Sequence, residues 1–241
     1  MASFFFINFI HNVMVTLEDK LKNPVFYSLQ ESHSEHCINL NGVTFYNPII
    51  NNFGAFIDQT KTEKALNNYA NLTDTFFLVS ENQIPTYDEK KIILEKKIDG
   101  CQMVLDNFID YKITEEIILL NHKHIDMVYE LIWKVMPGFY QKKGFEMGKF
   151  FGIFKDNKLV AISGQRMQTN DFIEVSSVVT DPKHTKRGFA KQLISHTTKD
   201  ILNNKKLPIL HTNKGNLAIP LYEKLGYKLT RDMNWWYFKR K

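Results

Sequence analysis

Residues 174–192 read EVSSVVTDPKHTKRGFAKQ, and their types suit the holding of a phosphate. A β-branched run over 174–180 predicts a strand. Asp181-Pro182 opens a turn, a basic loop ends in Gly188-Phe189-Ala190, and a helix follows. In such a unit the loop N–H groups and the helix N-terminus converge where the macrodipole favours an anion, and Gly188 and Ala190 keep side chains out of the way. Lys183, Lys186, Arg187 and Lys191 supply counter-charge. Spacing excludes two other phosphate-binding turns: no G-x-x-x-x-G-K-[ST] follows the strand, and no G-x-G-x-x-G opens a βαβ unit. Glu174, at the start of the strand, is a candidate general base; the plainer reading is a solvated acid at a strand end. His211, at the end of the next expected strand, is the second choice, although a lone histidine is more often structural.

Together with NKGNLAIPLYEKLGYKL downstream, this stretch resembles the acetyl-CoA signature of the GNAT N-acetyltransferase superfamily, Gln/Arg-x-x-Gly-x-Gly/Ala. The signature falls on Thr185-Lys186-Arg187-Gly188-Phe189-Ala190. Thr185 departs from it at the first position; the family's loop holds pyrophosphate mainly through main-chain N–H groups, so the match is weakened and not voided. The resemblance implies an α/β (α+β) GNAT fold, a mixed and mostly antiparallel sheet flanked by helices. It also implies acetyl-CoA as acyl-donor substrate, with no metal, and direct attack by a primary amine of a small molecule or peptide. The pantetheine arm would pair with Val178, Val179 and Thr180, while Thr185, Lys186, Arg187, Gly188, Phe189, Ala190 and Lys191 would hold the pyrophosphate. The family often has an asparagine seven residues before its tyrosine; here that position is Gly215, and Asn216 comes one step late as the candidate contact to the arm. In the N-terminal half, NPVFYSL, His33, TFYNP and CQMV follow the order of a GNAT subgroup whose C-terminal half is similar to glycine N-acyltransferases. The resemblance thus covers nearly the whole chain, most strongly after Ile118.

Acyl transfer from a thioester to an amine requires that the ammonium lose a proton, that the oxyanion be stabilised, and that the departing thiolate be protonated. Tyr222 is where the family places a tyrosine facing the sulfur. A phenol near pKa 10 can donate to a thiolate whose parent thiol is near 8.5, whereas Tyr227 reads as packing. The rival reading is a CoA-binding module without catalysis, used as a sensor or interaction partner; Thr185 and the displaced Asn216 are its support.

The chain has 241 residues, 44% hydrophobic and 24% charged, with a formal charge of +5, an ordinary globular composition. The charge suits an anionic ligand, but its lysines lie in short clusters without interleaved aromatics, which argues against nucleic acid. Cys37 and Cys101 form no CxxC and no metal cluster, so a reduced, cytoplasmic setting is expected. His33, His36 and Cys37 lack the further ligands a zinc site needs. The apolar start MASFFFINFIHNV has no preceding Lys or Arg, is shorter than the ~20 residues of a membrane helix and precedes no cleavage site. Met14 is an equally good start, with residues 1–13 as an extra segment.

Two parts are expected: an N-terminal α/β half over residues 1–110, a degenerate GNAT-like copy, and a GNAT domain over 111–241. In the first, a short helix over 16–21 is ended by Asn23-Pro24, and residues 23–56 read as short strands and loops. A helix over 60–71 capped by Thr60, a strand over 75–80, and KKIILEKKI and CQMVLDNF as a strand and a short segment complete it. In the second, a strand over 113–121 leads to a helix over 122–135 capped by Asn121 and stopped by Pro137-Gly138. A hairpin turning at Asp156-Asn157 follows, then the central strand, a helix over 188–203, a strand over 207–212, a helix over 217–225, and a last strand or hairpin over 227–239. The acceptor's contacts are expected from loops of the N-terminal half and from residues 137–144.

Overall fold

A computed structural model describes residues 15–138 and 140–241; residues 1–13 and Met14 lie outside the described residues. Thr16 and Asp19 form a capping box that starts α1 (Leu17–Lys22), and Asn23 closes α1 and at once caps α2 (Pro24–Gln30). The proline expected to end a helix therefore begins the next one. At the first helical position its missing N–H costs nothing and its fixed φ is already helical. Strands β1 (Cys37–Leu40), β2 (Val43–Tyr46) and β3 (Phe53–Ala55) follow, then α3 (Thr62–Tyr69) and β4 (Thr75–Ser80). KKIILEKKI and CQMVLDNF join into one 14-residue strand, β5 (Ile92–Leu105).

Of the strand expected over 113–121 only β6 (Ile118–Leu119) forms. Asn121 then caps a 3₁₀ turn that leads into α4 (Ile125–Val135). β7 (Phe150–Lys155) and β8 (Lys158–Gln168) are joined by Asp156 and Asn157, at φ 49° and 60°, the left-handed pair that a two-residue hairpin turn needs. β9 (Phe172–Thr180), α5 (Phe189–Asn203), β10 (Leu207–Asn213), α6 (Ile219–Glu223) and β11 (Tyr227–Arg240) complete the chain.

All eleven strands form one sheet in the order β1-β2-β3-β4-β11-β5-β10-β9-β8-β7-β6. Two pairs are parallel, β3 with β4 and β9 with β10, each bridged by a helix (α3 and α5); every other pair is antiparallel. The expected boundary near residue 110 does not divide this sheet. β11, from the last residues of the chain, lies between β4 and β5, and β5 lies between β11 and β10.

Strand alternation sorts the core into two faces. Phe77, Val79, Phe172, Met233 and Trp235 pack with Leu21, Val25 and Leu29 of α1 and α2, and on the same side Phe150, Ile162 and Val179 pack under α4. On the opposite side Phe76 and Leu78 meet α3, while Ile173 and Val175 meet α5 and α6. Lys20, buried at the end of α1, ties the N-terminal helices to the β8–β9 turn through Asp171 at 2.5 Å and Glu31 at 2.6 Å.

Candidate functional site

β9 and β10 pair in parallel from Phe172 with Leu207 to Val175 with Leu210, and there the pairing stops. Beyond that point β10 stays with β5 (His211 opposite Gln102, Thr212 opposite Cys101), while β9 stays with β8 (Val179 opposite Ile162, Thr180 opposite Ala161). The two strands therefore part, and the main chain of residues 176–180 has no ladder partner on its β10 side among the described residues. An extended chain can add there as a strand would, because buried main-chain polar groups demand partners.

A bulge accompanies the parting. Between Gly164–Ser176 and Ile162–Val179 the register slips by one residue, and Ser177 takes φ 49°. Simple alternation puts Glu174, Ser176 and Val178 on one face; the extra residue reverses it. Val178 packs with Ile173 and Val175 on the α5 side, and Val179 on the α4 side.

β9 runs into a 3₁₀ turn (Pro182–His184), capped by Asp181 and closed by Thr185, whose Oγ1 donates to the Pro182 carbonyl at 3.2 Å. Gly188 caps α5 at φ 77°, and a Cβ placed on it would meet nothing within 4 Å, so the space over the helix start is open. The N–H groups of Phe189, Ala190 and Lys191 begin the helix without intrahelical acceptors. Phe189's side chain is buried with Phe151, Ile153 and Leu193, leaving only its main chain for a ligand. Lys191 lies 4.0 Å from the centre of the Tyr111 ring, while Lys186 and Arg187 are exposed and have no ion-pair partner among the described residues.

α6 places Tyr222 in the core beside Tyr227, and burial raises its phenol pKa. Its hydroxyl makes no hydrogen bond among the described residues, whereas Tyr227's is closed off by Thr198 at 2.7 Å. Gly215 occupies φ 75°, a left-handed turn that disfavours an asparagine's Cβ less than most but glycine least. Asn216, one step on, is used locally: its Oδ1 accepts from the Ala218 N–H at 2.8 Å and its Nδ2 donates to Thr212 Oγ1 at 2.6 Å.

Where β9 and β10 part, a cavity of about 420 Å3 opens on the α4 side. Its walls come from both halves of the chain: Asn51, Phe53, Phe77 and Ile98 from the first, and Pro137, Tyr140, Gly144, Arg166, Ser176, Ser177, His211 and Trp235 from the second. The loops expected to contact an acceptor thus meet at this cavity.

Glu174 is neither solvated nor free. It is fully buried, accepts Arg166 Nε and Nη2 at 2.7 and 2.8 Å and the Met167 N–H at 3.3 Å, and binds His211 Nδ1 at 2.8 Å. Burial opposes its ionisation, but the Arg166 charge and the hydrogen bonds from Arg166 and His211 outweigh that and hold the carboxyl at about 2. His211 Nε2 faces the Gln102 amide nitrogen at 3.0 Å, and that nitrogen also donates to the Leu21 carbonyl at 2.8 Å. An amide NH₂ only donates, so Nε2 accepts and Nδ1 carries the proton toward Glu174. Both ring nitrogens are engaged. Sequence reasoning placed Glu174 and His211 near each other's strands but missed Arg166 and Gln102; the sole signal for Arg166 was a charge inside the apolar run KLVAISGQRMQ.

His33 is buried between Tyr46 Oη at 2.8 Å and the Met147 carbonyl at 3.0 Å. Burial lowers its pKa to about 4. Among the described residues no group of three or more His, Cys, Asp or Glu is placed to hold a metal. No helix among them is long and apolar enough to cross a membrane.

A parallel strand pair that parts in mid-sheet, beside an open loop at the start of the crossover helix, is the arrangement of the GNAT fold. Residues 150–236 match the FR47-like protein family. A GNAT-family structure from Novosphingobium aromaticivorans DSM 12444, assigned as an acetyltransferase, is 25% identical and superposes over 92% of this chain and 98% of its own with a TM-score of 0.81. A GCN5-related N-acetyltransferase-like protein from Streptococcus suis 89/1591 (14% identity, 93% and 97% covered, TM-score 0.64) shares the fold. So does a GCN5-related N-acetyltransferase from Kribbella flavida (12%, 90% and 93%, 0.61). No curated protein matches the sequence. Residues 150–236 carry an FR47-like domain, and the chain as a whole has the fold of the GNAT acetyltransferase superfamily.

Proposed function

We propose that the protein is an acyl-CoA-dependent N-acyltransferase that moves an acetyl group from acetyl-CoA to a primary amine of a small molecule or peptide. The observation that carries this reading is the parting of β9 and β10 after Val175 and Leu210, beside the open start of α5. The pantetheine arm would pair with the free edge at Val178, Val179 and Thr180. The pyrophosphate would lie over the N–H groups from Thr185 to Lys191, with Lys186 and Arg187 as counter-charge. Asn216 would act by shaping the turn into α6.

The amine nitrogen attacks the thioester carbonyl carbon, the carbonyl electron pair moves to oxygen, and its return expels the thiolate. Tyr222 Oη would give the thiolate its proton, and the proton that the attacking nitrogen sheds as the amide forms would restore the phenol through water. β9 N–H groups beyond the bulge suit the oxyanion. Glu174 takes a changed part: with a carboxyl held at about 2 it is a weak proton acceptor, and it positions Arg166 and His211. Desolvation in the apolar cavity favours the neutral amine, so the ammonium proton leaves to solvent as the acceptor enters.

In the same reading residues 111–241 are the GNAT domain and residues 1–110 a degenerate copy, supported by the two matching units β3–α3–β4 and β9–α5–β10. Cys37 and Cys101 are free, in keeping with a cytoplasmic setting. The engagement of both Glu174 and His211 favours, as a second reading, a CoA-binding module without turnover. Thiol release from acetyl-CoA over a panel of amino acids, polyamines, aminoglycosides and peptides separates the two. Turnover with any acceptor supports the enzyme; tight CoA binding with none supports the module.

A further inference from the structure

The cavity beside the parted strands is walled mainly by Phe53, Phe77, Ile98, Phe150 and Trp235, and among the described residues no carboxylate lines it. One charged side chain does. Arg166 spends Nε and Nη2 on Glu174, while Nη1 has no partner among the described residues and the side chain keeps 22% of its surface open. Its guanidinium carbon lies 5.0 Å from the centre of the Phe53 ring. Clamped on one edge by a buried carboxylate and on one face by an aromatic ring, the guanidinium presents its remaining N–H groups in a fixed direction. Little side-chain entropy remains to be lost when they bind.

We propose that the acceptor is a small amine carrying a carboxylate on an apolar body, and that Arg166 binds the carboxylate; the inference rests on the acyltransferase reading above. A cavity of about 420 Å3 is near the lower end for ligand sites, which suits a small molecule more than a folded protein segment. Once such a body displaces water, the free N–H groups of Arg166 need an acceptor in a low-dielectric site, where a carboxylate satisfies two donors at once. An ammonium beside Arg166 would be both repelled and desolvated. The amine must therefore point away from it, and Ser176 and Ser177, at the parting of the strands, form the other polar stretch of wall. Because Glu174 already neutralises Arg166, selection works through short-range hydrogen bonds and not through long-range attraction.

The test is calorimetric binding, with CoA present, of N-acetyl-L-phenylalanine and N-acetyl-L-leucine against their primary amides. The acetylated nitrogen no longer titrates, so each difference reports the carboxylate alone. At least one acid should bind roughly ten- to a hundredfold more tightly than its amide. The preference should vanish in Arg166→Met/Glu174→Gln, which removes both charges together, and should shrink in Arg166→Lys, which keeps Glu174 paired if the double variant does not fold. Equal binding of acid and amide, binding of neither, or a preference that survives both variants overturns the inference. Failure of the underlying reading looks different: acids bind in an Arg166-dependent way, yet free phenylalanine and leucine release no thiol from acetyl-CoA. Turnover of neutral amines without any acid preference would leave the enzyme and remove this acceptor.

Discussion

Glu174→Gln takes one negative charge from the middle of the sheet and leaves the side chain's shape. In the wild type both carboxylate oxygens are filled by Arg166, His211 and the Met167 N–H. A glutamine offers one oxygen and one NH₂, so whichever way it turns Arg166 points a donor at a donor, together with either His211 or the Met167 N–H. His211 cannot escape by changing tautomer, because its other nitrogen already accepts from Gln102, whose amide is fixed by the Leu21 carbonyl. Arg166, about three-quarters buried, is left without its counter-ion. Breaking a buried pair from one side costs about 3–5 kcal/mol. The depressed carboxyl gives the same scale: from 4.5 to about 2, at about 1.4 kcal/mol per unit, it represents roughly 3 kcal/mol. For a chain of this length that is a fall in Tm of about 6–20 °C. The folded pKa lies below the unfolded one, so this stabilisation is fully present above about pH 4.5 and is lost as pH falls toward 2. Thermal melts at pH 7 should show the lower Tm of Glu174→Gln, and urea titrations from pH 5 to 3 should show a fall in stability in the wild type that Glu174→Gln lacks. Arg166→Met/Glu174→Gln should recover much of the deficit. A single variant melting within about 3 °C of wild type, or a double variant no more stable than the single, would refute the reasoning. The pH–rate profile carries a second consequence. If Glu174 only positions its partners, Glu174→Gln lowers kcat at every pH and leaves the acid limb in place; a flattened limb would return the role of base to Glu174.

Gly188→Glu puts a side chain and a negative charge into the open space over the start of α5. Calorimetry with acetyl-CoA should show affinity down by several kcal/mol in a folded protein, and unchanged affinity would remove the loop from the donor site. Tyr222→Phe leaves the ring packed against Tyr227, so Tm and CoA affinity should scarcely move while kcat falls roughly 10²-fold. That loss should be smaller with a thioester of a more acidic thiol, and equal rates would make Tyr222 core alone. His33, buried and held neutral with a pKa of about 4, gives the wild type stability that is full above its unfolded pKa near 6.5 and is lost as pH falls toward 4. Urea unfolding at pH 5 against pH 7 should register about 2 kcal/mol of this, and His33→Gln should lack it.

The C-terminal half was legible because its signals are local. Asp156-Asn157 specifies a tight hairpin turn whatever surrounds it, Asn121 caps the 3₁₀ turn that leads into α4, and Gly188 marks the start of α5 because its own φ is positive. Asn23-Pro24 does end α1, but residues 24–30 were misread as strand and loop because the same residues that stop one helix open another, and the packing of α2 against Tyr46 and Phe53 helps to make the second helix stable. The helix over 217–225 was set too long for a related reason: Asn216 spends its side chain on Ala218 and Thr212, so α6 starts only at Ile219.

The sequence by itself determined most elements of the C-terminal half, the GNAT resemblance and the glycine that opens α5, since each rests on residues within a few positions of one another. Only the tertiary structure decided how those elements share a sheet. The exchange of β5 and β11 across the expected boundary is a pairing of residues more than a hundred positions apart, and β-strands that fit one edge by composition fit others equally well. The bulge at Ser177 likewise depends on the partner strand, and it reversed the faces that alternation alone assigns to Val178 and Val179. The protonation of the site follows from the same cause. Glu174 and His211 read as free acid and base in sequence because nothing nearby neutralises them; Arg166 and Gln102, brought by neighbouring strands into a buried space, fix their charge and tautomer.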